Sequence, residues 1–189
     1  LKEIKRIIGP KIDFMPTVKA DAYGHGAIEI SHAALKNGAR MLGVANADEG
    51  VQLRISGIEA PIVILGPSTE AEIEQIIKYN LTPSVSDIAF AKKFNKALAQ
   101  SGYKLPVHIE VDTGMGRGGT IHTEALKLVH EIAKLKNIIL EGIFSHFASS
   151  EKMIPYNEMQ WKHFSDLLAD LEHRGISVPI PHIDNSGAI

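Results

Sequence analysis

A lysine heads the most distinctive run of this chain, Val18-Lys19-Ala20-Asp21-Ala22-Tyr23-Gly24-His25-Gly26. Ile12, Phe14 and Val18 lead up to it. An amine arriving beside such an apolar wall is partly desolvated, which lowers its pKa and frees it as a nucleophile toward a carbonyl carbon, as Schiff-base chemistry requires. A lysine at a strand end can equally snorkel into water, so Lys19 alone decides nothing. Other polar residues fall in comparable places. Tyr23 follows four residues on, and Arg117 lies in the glycine-rich stretch Asp112-Thr113-Gly114-Met115-Gly116-Arg117-Gly118-Gly119. His146 ends an apolar run, and Asn185 and Ser186 follow another. Each has an ordinary reading: Arg117 as a loop salt bridge, His146 as a core histidine, Ser186 as a helix N-cap, Tyr23 as a packed rim residue. Taken together, an amine, a guanidinium, an imidazole and hydroxyls at successive strand ends suit an anionic ligand that carries a carbonyl.

The elements that must position these groups are short apolar runs alternating with helical patterns, which predicts repeated βα units around a parallel sheet. Strands are expected over residues 12–19, 41–46, 61–66, 81–85, 107–111, 140–147 and 180–184. Between them apolar residues recur at helical spacing, as in Ile73, Ile76 and Ile77, or Phe164, Leu167, Leu168 and Leu171. Thr69-Glu70-Ala71-Glu72 has the spacing of a capping box, and Gly38, Gly57, Gly102 and Gly175 stand where helices should end in a left-handed residue. About seven βα units predict an α/β fold, a (β/α)8 TIM-type barrel that is incomplete here and lacks its last strand, because a full barrel needs about 250 residues. A doubly wound nucleotide fold fits less well, since Gly24-His25-Gly26 lacks the third glycine of the dinucleotide fingerprint. The strand ends of a parallel barrel form its active mouth, where Lys19, Tyr23, Arg117, His146, Asn185 and Ser186 would gather.

Bulk properties narrow the function classes. The chain's 189 residues are expected to form one domain, and 44% hydrophobic with 22% charged residues is ordinary for a globular protein. A net charge of -2 offers no electrostatic footprint for nucleic acid or for a membrane surface. Cysteine is absent, which excludes disulfides and thiolate zinc sites and suits a cytoplasmic protein. Nine histidines raise the possibility of a metal-dependent barrel hydrolase, but the usual His-x-His of its first strand is missing and His108 has no evident companions in the sequence. Both termini read as cut points, Leu1 within a helix and Ile189 just past a strand.

Pyridoxal 5'-phosphate asks for an amine for its aldehyde, donors for its phosphate, a cation beside its phenolate oxygen and something flat against its ring, and the residues above can supply all four. At this point the sequence resembles the bacterial alanine racemases, fold-type III pyridoxal phosphate enzymes. The run at 18–26 is like their cofactor-lysine signature, and Asp112 through Arg117, Ser145-His146-Phe147-Ala148 and His182-Ile183-Asp184-Asn185-Ser186 agree in order and spacing. The likeness spans nearly the whole chain. It implies that Lys19 holds the cofactor and serves as the catalytic base on one face of the substrate. It further implies that Tyr23 and Ser186 bind the phosphate, that Arg117 faces the phenolate oxygen, that His146 lies against the ring, and that Leu65 and Asn185 line the pocket. An amino acid substrate, racemisation of L-alanine to D-alanine for peptidoglycan, and a homodimer follow from the same resemblance.

Two departures matter. In the family the second base is a tyrosine of a carboxy-terminal β-domain from the partner subunit, and the arginine facing the pyridine nitrogen comes from the eighth strand. Neither is expected within residues 1–189, so little racemase activity is expected of this stretch alone. Many relatives also carry a carbamylated lysine where this chain has Glu110, and a Glu110 to Arg117 pair could do the same work with a plain carboxylate. A racemase of another amino acid, such as serine or a wider set, and a non-catalytic pyridoxal phosphate carrier on the same barrel remain alternatives.

Overall fold

The computed structural model describes residues 1–152 and 154–189. They fold as two compact units, Leu1–Ser84 and Val85–Ile189.

The first unit runs α1 (Lys2–Ile8), α2 (Lys19–Gly24), α3 (Ala27–Lys36), β1 (Leu42–Val44), α4 (Ala47–Ile55), β2 (Ile62–Pro67), a short 3-10 turn (Glu70–Glu72), α5 (Ile73–Lys78) and β3 (Thr82–Val85). Strand β2 lies between β1 and β3, and both pairings are parallel, with Leu42 opposite Ile62 and Val63 opposite Thr82. Strands β1 and β2 are mainly apolar because both faces are covered, and β3, Thr82-Pro83-Ser84-Val85, is buried as well. Ile62, Val63 and Ile64 are each wholly buried, a contribution of about 1.5–3 kcal/mol per side chain. Helix starts are set by side chains: Asn46 accepts from Glu49 N at α4, and Thr69 with Glu72 forms the expected capping box.

The second unit runs α6 (Ile88–Ala97), β4 (Leu105–Asp112), β5 (Thr120–Ile121), α7 (His122–Ile132), β6 (Ile138–Phe144), α8 (Pro155–His173) and β7 (Ile180–His182). Strand β6 lies between β4 and β7, and β5 pairs with the carboxyl end of β4; all three pairings are parallel. Helix α7 buries Ala125, Leu128, Val129 and Ile132, and α8 buries Gln160, Phe164, Leu167 and Leu171. These spacings put each set on one helical face.

The βα succession of an incomplete (β/α)8 barrel thus runs through both units. Gly38, Gly57, Gly102 and Gly175 take positive φ of 89°, 91°, 68° and 68°, as a left-handed helix ending requires. The strand set differs from expectation in two places. The expected first strand, 12–19, is reduced to one parallel bridge between Thr17 and Gly43. Pro16 has no N–H to give, and the Ile12 carbonyl is taken by Lys5 Nζ at 2.7 Å, which leaves Ile12 56% exposed. The added strand is β5, folded back by the glycines before it. Strand β6 also stops at Phe144, so His146 lies in the following loop and not within the strand. Among the described residues no helix is long and apolar enough to cross a membrane.

Candidate active site

In the first unit, Val18 donates to Gly43 O at 2.7 Å and Gly43 donates to Pro16 O at 2.9 Å, which fixes the approach to Lys19 along β1. Val18 is buried and Lys19 half-buried. Leu65 lies over the same spot. A Cβ on Gly43 would come within 2.9 Å of Leu65 Cδ1 and 3.4 Å of Thr17 Oγ1.

Past Lys19 the backbone turns left-handed. Ala20, Asp21, Ala22 and Tyr23 have φ of 50°, 53°, 51° and 54°, so α2 is a turn of left-handed helix built from four consecutive residues with side chains. Each residue costs about 1–2 kcal/mol in that conformation, so the turn persists only because its surroundings over-determine it. Ala22 N donates to Val18 O at 2.9 Å, and Gly26 N to Asp21 O at 3.0 Å. The Asp21 carboxylate accepts from Ala27 N at 2.7 Å. Glu49 of α4 accepts from Ala20 N at 2.8 Å through one oxygen and from Ala45 N at 2.7 Å through the other. Lys19 and Tyr23 therefore sit at either end of a hydrogen-bonded turn, with Tyr23 62% exposed.

In the second unit, Asp112 at the end of β4 organises the glycine-rich loop. Its Oδ1 accepts from Gly114 N at 2.8 Å and from Gly116 N at 3.0 Å. Gly119, at φ 96°, sits so close to β4 that a Cβ would lie 2.8 Å from Asp112 N, and only glycine lets the chain return there as β5. The Glu110 carboxylate lies over Gly118, whose added Cβ would come within 3.1 Å of Oε1. Burial pushes the Glu110 carboxyl above its usual range, the Arg117 guanidinium pulls it back down, and Asp112 adds to the upward push. Arg117 itself is exposed.

His146 follows β6, with its backbone held by α8. Gln160, wholly buried, donates from Nε2 to His146 O at 3.0 Å and accepts from Ala148 N at 3.0 Å. Its Nε2 also reaches Thr113 Oγ1 at 3.4 Å, and Thr113 Oγ1 is 2.7 Å from Ser145 Oγ. Tyr156 donates to Gly114 O at 2.6 Å. One helix thereby ties together the loops that carry Arg117 and His146. Asn185 Nδ2 lies 3.5 Å from His146 Nε2, while Asn185 Oδ1 bonds Ser150 Oγ and accepts from Gly187 N at 3.1 Å. Ser186 is exposed beside it.

Beneath these loops His108 does have companions. Its Nδ1 is 2.9 Å from His182 Nε2 and its Nε2 is 3.3 Å from Glu141 Oε2, and the His182 ring stacks on Phe144. Burial and the neighbouring His108 push His182 down to about 3, so its ring is neutral at physiological pH. The two rings share one hydrogen bond between His108 Nδ1 and His182 Nε2, whose donor is set by their tautomers. Among the described residues no group of three or more His, Asp or Glu side chains could hold a metal ion.

Sequence reasoning missed Glu49, Asp21, Gln160 and the His108 to His182 pair. Gln160 alone left a signal, as an amide on the apolar face shared by Phe164, Leu167 and Leu171.

The sequence family described as "Alanine racemase, N-terminal domain" matches residues 1–189. The chain belongs to the alanine racemase family. It is 41% identical over 190 residues to alanine racemase 2 of Caldanaerobacter subterraneus subsp. tengcongensis, covering all of this chain and 49% of that protein. It is likewise 41% identical over 191 residues to the alanine racemase of Methanococcus maripaludis, covering 51% of it. The chain thus spans about half the length of the curated relatives it matches. Its backbone resembles the alanine racemase of Clostridium difficile 630 in complex with cycloserine, with a TM-score of 0.94 at 35% identity over 98% of this chain and 51% of that one. A histidine racemase from Leuconostoc mesenteroides subsp. sake is similar too, with a TM-score of 0.89 at 28% identity over 99% of this chain and 50% of that one.

Proposed function

We propose that the chain is the cofactor-binding half of a pyridoxal 5'-phosphate-dependent alanine racemase that interconverts L-alanine and D-alanine. Lys19, half-buried and fixed at the start of a strained, clamped turn, carries this reading: strain held at this cost accumulates at functional sites. The donor set fits the cofactor by chemistry. Lys19 supplies the amine that would hold its aldehyde, Tyr23 and Ser186 hydroxyls for its phosphate, Arg117 a cation for its phenolate oxygen, and His146 a flat ring. Leu65 and Asn185 would line the pocket, and Glu110 would hold the Arg117 guanidinium by a charge-assisted pair. When bound, the cofactor supplies an electron sink that weakens the substrate's α-C–H bond.

The protein's own part is positioning and proton transfer. Lys19 Nζ removes or returns the α-proton on one face of an amino acid substrate. Inversion needs a second base on the opposite face, assigned by resemblance to the partner subunit of a homodimer, outside residues 1–189. D-alanine so made would serve peptidoglycan.

The test uses the full-length protein. Pyridoxal phosphate should give a visible absorbance band that borohydride fixes on Lys19 and that Lys19→Ala abolishes, and L-alanine in heavy water should yield D-alanine deuterated at the α-carbon. A band that survives Lys19→Ala refutes the assignment. The likeness to a histidine racemase favours a second reading, racemisation of another amino acid, so histidine and serine belong in the same assay.

A further inference from the structure

We propose that Glu49 is a positioning residue for Lys19, and that its two carboxylate oxygens set where the amine stands. The inference rests on the reading of Lys19 as the cofactor lysine. Glu49 occupies the third position of α4, behind the N-cap Asn46, whose Oδ1 accepts from Glu49 N at 3.0 Å. An acidic residue there ordinarily reaches back to the N-cap's own N–H and completes a capping box. The next helix start does this: Glu72 Oε2 accepts from Thr69 N at 2.7 Å. Glu49 does something else. Its oxygens leave the helix start and take Ala45 N, just past β1, and Ala20 N, the peptide N–H directly following Lys19 and 29 residues away in sequence.

That N–H is the first group of the left-handed turn, and the turn's own bond runs from Ala22 N to Val18 O, which leaves Ala20 N to an outside acceptor. The carboxylate thus pins the peptide next to Lys19 to the peptide ending β1. Two N–H donors facing one side chain need an acceptor on each arm. A carboxylate has two, whereas the amide of glutamine has one and turns an NH2 toward the other donor. Charge-assisted bonds to backbone N–H are also the strong kind. Glu49→Gln, nearly identical in shape, should therefore act as a real lesion, with an effect about ten- to hundredfold on any property that depends on where Lys19 stands.

The experiment compares full-length wild type, Glu49→Gln and Glu72→Gln, the last losing a carboxylate that accepts from Thr69 N and, at 3.3 Å, from Ala47 N but does not reach the Lys19 turn. Two readouts are taken. The first is the pH profile of Lys19 modification by an amine reagent in cofactor-free protein, resolved by peptide mass spectrometry. The second is the equilibrium affinity for pyridoxal phosphate. Glu49→Gln should displace the Lys19 profile and weaken cofactor binding about ten- to hundredfold, while Glu72→Gln lowers the melting temperature but leaves both readouts at wild type. If Glu49→Gln does not fold, Glu49→Asp, one methylene too short to span both N–H groups, carries the same comparison. A displaced Lys19 profile in a protein that takes up no pyridoxal phosphate supports the positioning role and refutes the cofactor reading. Unchanged Lys19 reactivity in a folded Glu49 variant, or an equal change in Glu72→Gln, overturns the proposal.

Discussion

Acid should loosen the second unit through His182, and the size of the effect follows from its burial. The ring would ordinarily titrate near 6.5; burial beside His108 brings it down to about 3. Between those values the unfolded chain binds a proton that the folded chain refuses, so stability is complete above 6.5 and is lost as pH falls. The loss grows by about 1.4 kcal/mol per pH unit and reaches about 2 kcal/mol between about pH 7.5 and about pH 5. Two groups run the other way. Burial raises the carboxyls of Glu110 and Asp184, which take up protons earlier in the folded state and gain stability on acidification. The wild-type curve therefore mixes opposing slopes, and the clean quantity is its difference from His182→Gln, which keeps a donor toward His108 but cannot titrate. At neutral pH the variant should be less stable by about 0.5–1.5 kcal/mol, for the lost stacking on Phe144. On acidification the gap should close and then reverse. Urea midpoints across the pH series on the full-length protein give the difference, and proton NMR of the ring should show no titration of His182 down to about pH 5. A gap that stays constant with pH would refute the reasoning.

Other lesions should report on single contacts. Gln160→Leu fills the same space but takes the acceptor from Ala148 N and a donor from His146 O, at about 1–3 kcal/mol, read from denaturant midpoints. Gly142→Ala places a Cβ 2.5 Å from His108 Cε1 and should cost about 1–3 kcal/mol through overpacking, with His182 NMR shifts displaced. Glu110→Gln should weaken pyridoxal phosphate binding and alter its absorbance by releasing the Arg117 guanidinium; unchanged affinity and spectrum would show that the pair has no functional part.

Much of this arrangement was legible in the sequence, for identifiable reasons. Helix endings at Gly38, Gly57, Gly102 and Gly175 are local chemistry, and local chemistry is written in adjacent residues. The parallel strands announced themselves as short apolar runs because burial on both faces demands nothing else. The first strand misled because its hydrophobicity was sound while its hydrogen bonding was not: Pro16 lacks a donor and Lys5 claims the Ile12 carbonyl. The left-handed turn was not legible. Ala20, Ala22 and Tyr23 have no preference for that conformation, which is imposed by Glu49 from 29 residues away and by Asp21 bonding across the turn to Ala27. Long-range compulsion of this kind leaves no trace in local propensity.

Lys19 and Arg117 are each carried on a loop organised in the same way. After Lys19 a carboxylate accepts two backbone N–H groups, Ala20 and Ala45, and after β4 another accepts two more, Gly114 and Gly116, ahead of Arg117. An acid that simply paired with the amine or guanidinium would fix its position and also use up its charge and its donors. An acid whose oxygens are filled by peptide N–H groups fixes the backbone and leaves the cation's donors for a ligand. Glu110 is the exception that makes the distinction visible, since its carboxyl feels the Arg117 charge directly. On the proposed reading Lys19 acts as a nucleophile and is held through its neighbouring peptides, whereas Arg117, which never has to give up its proton, can tolerate a carboxylate within reach.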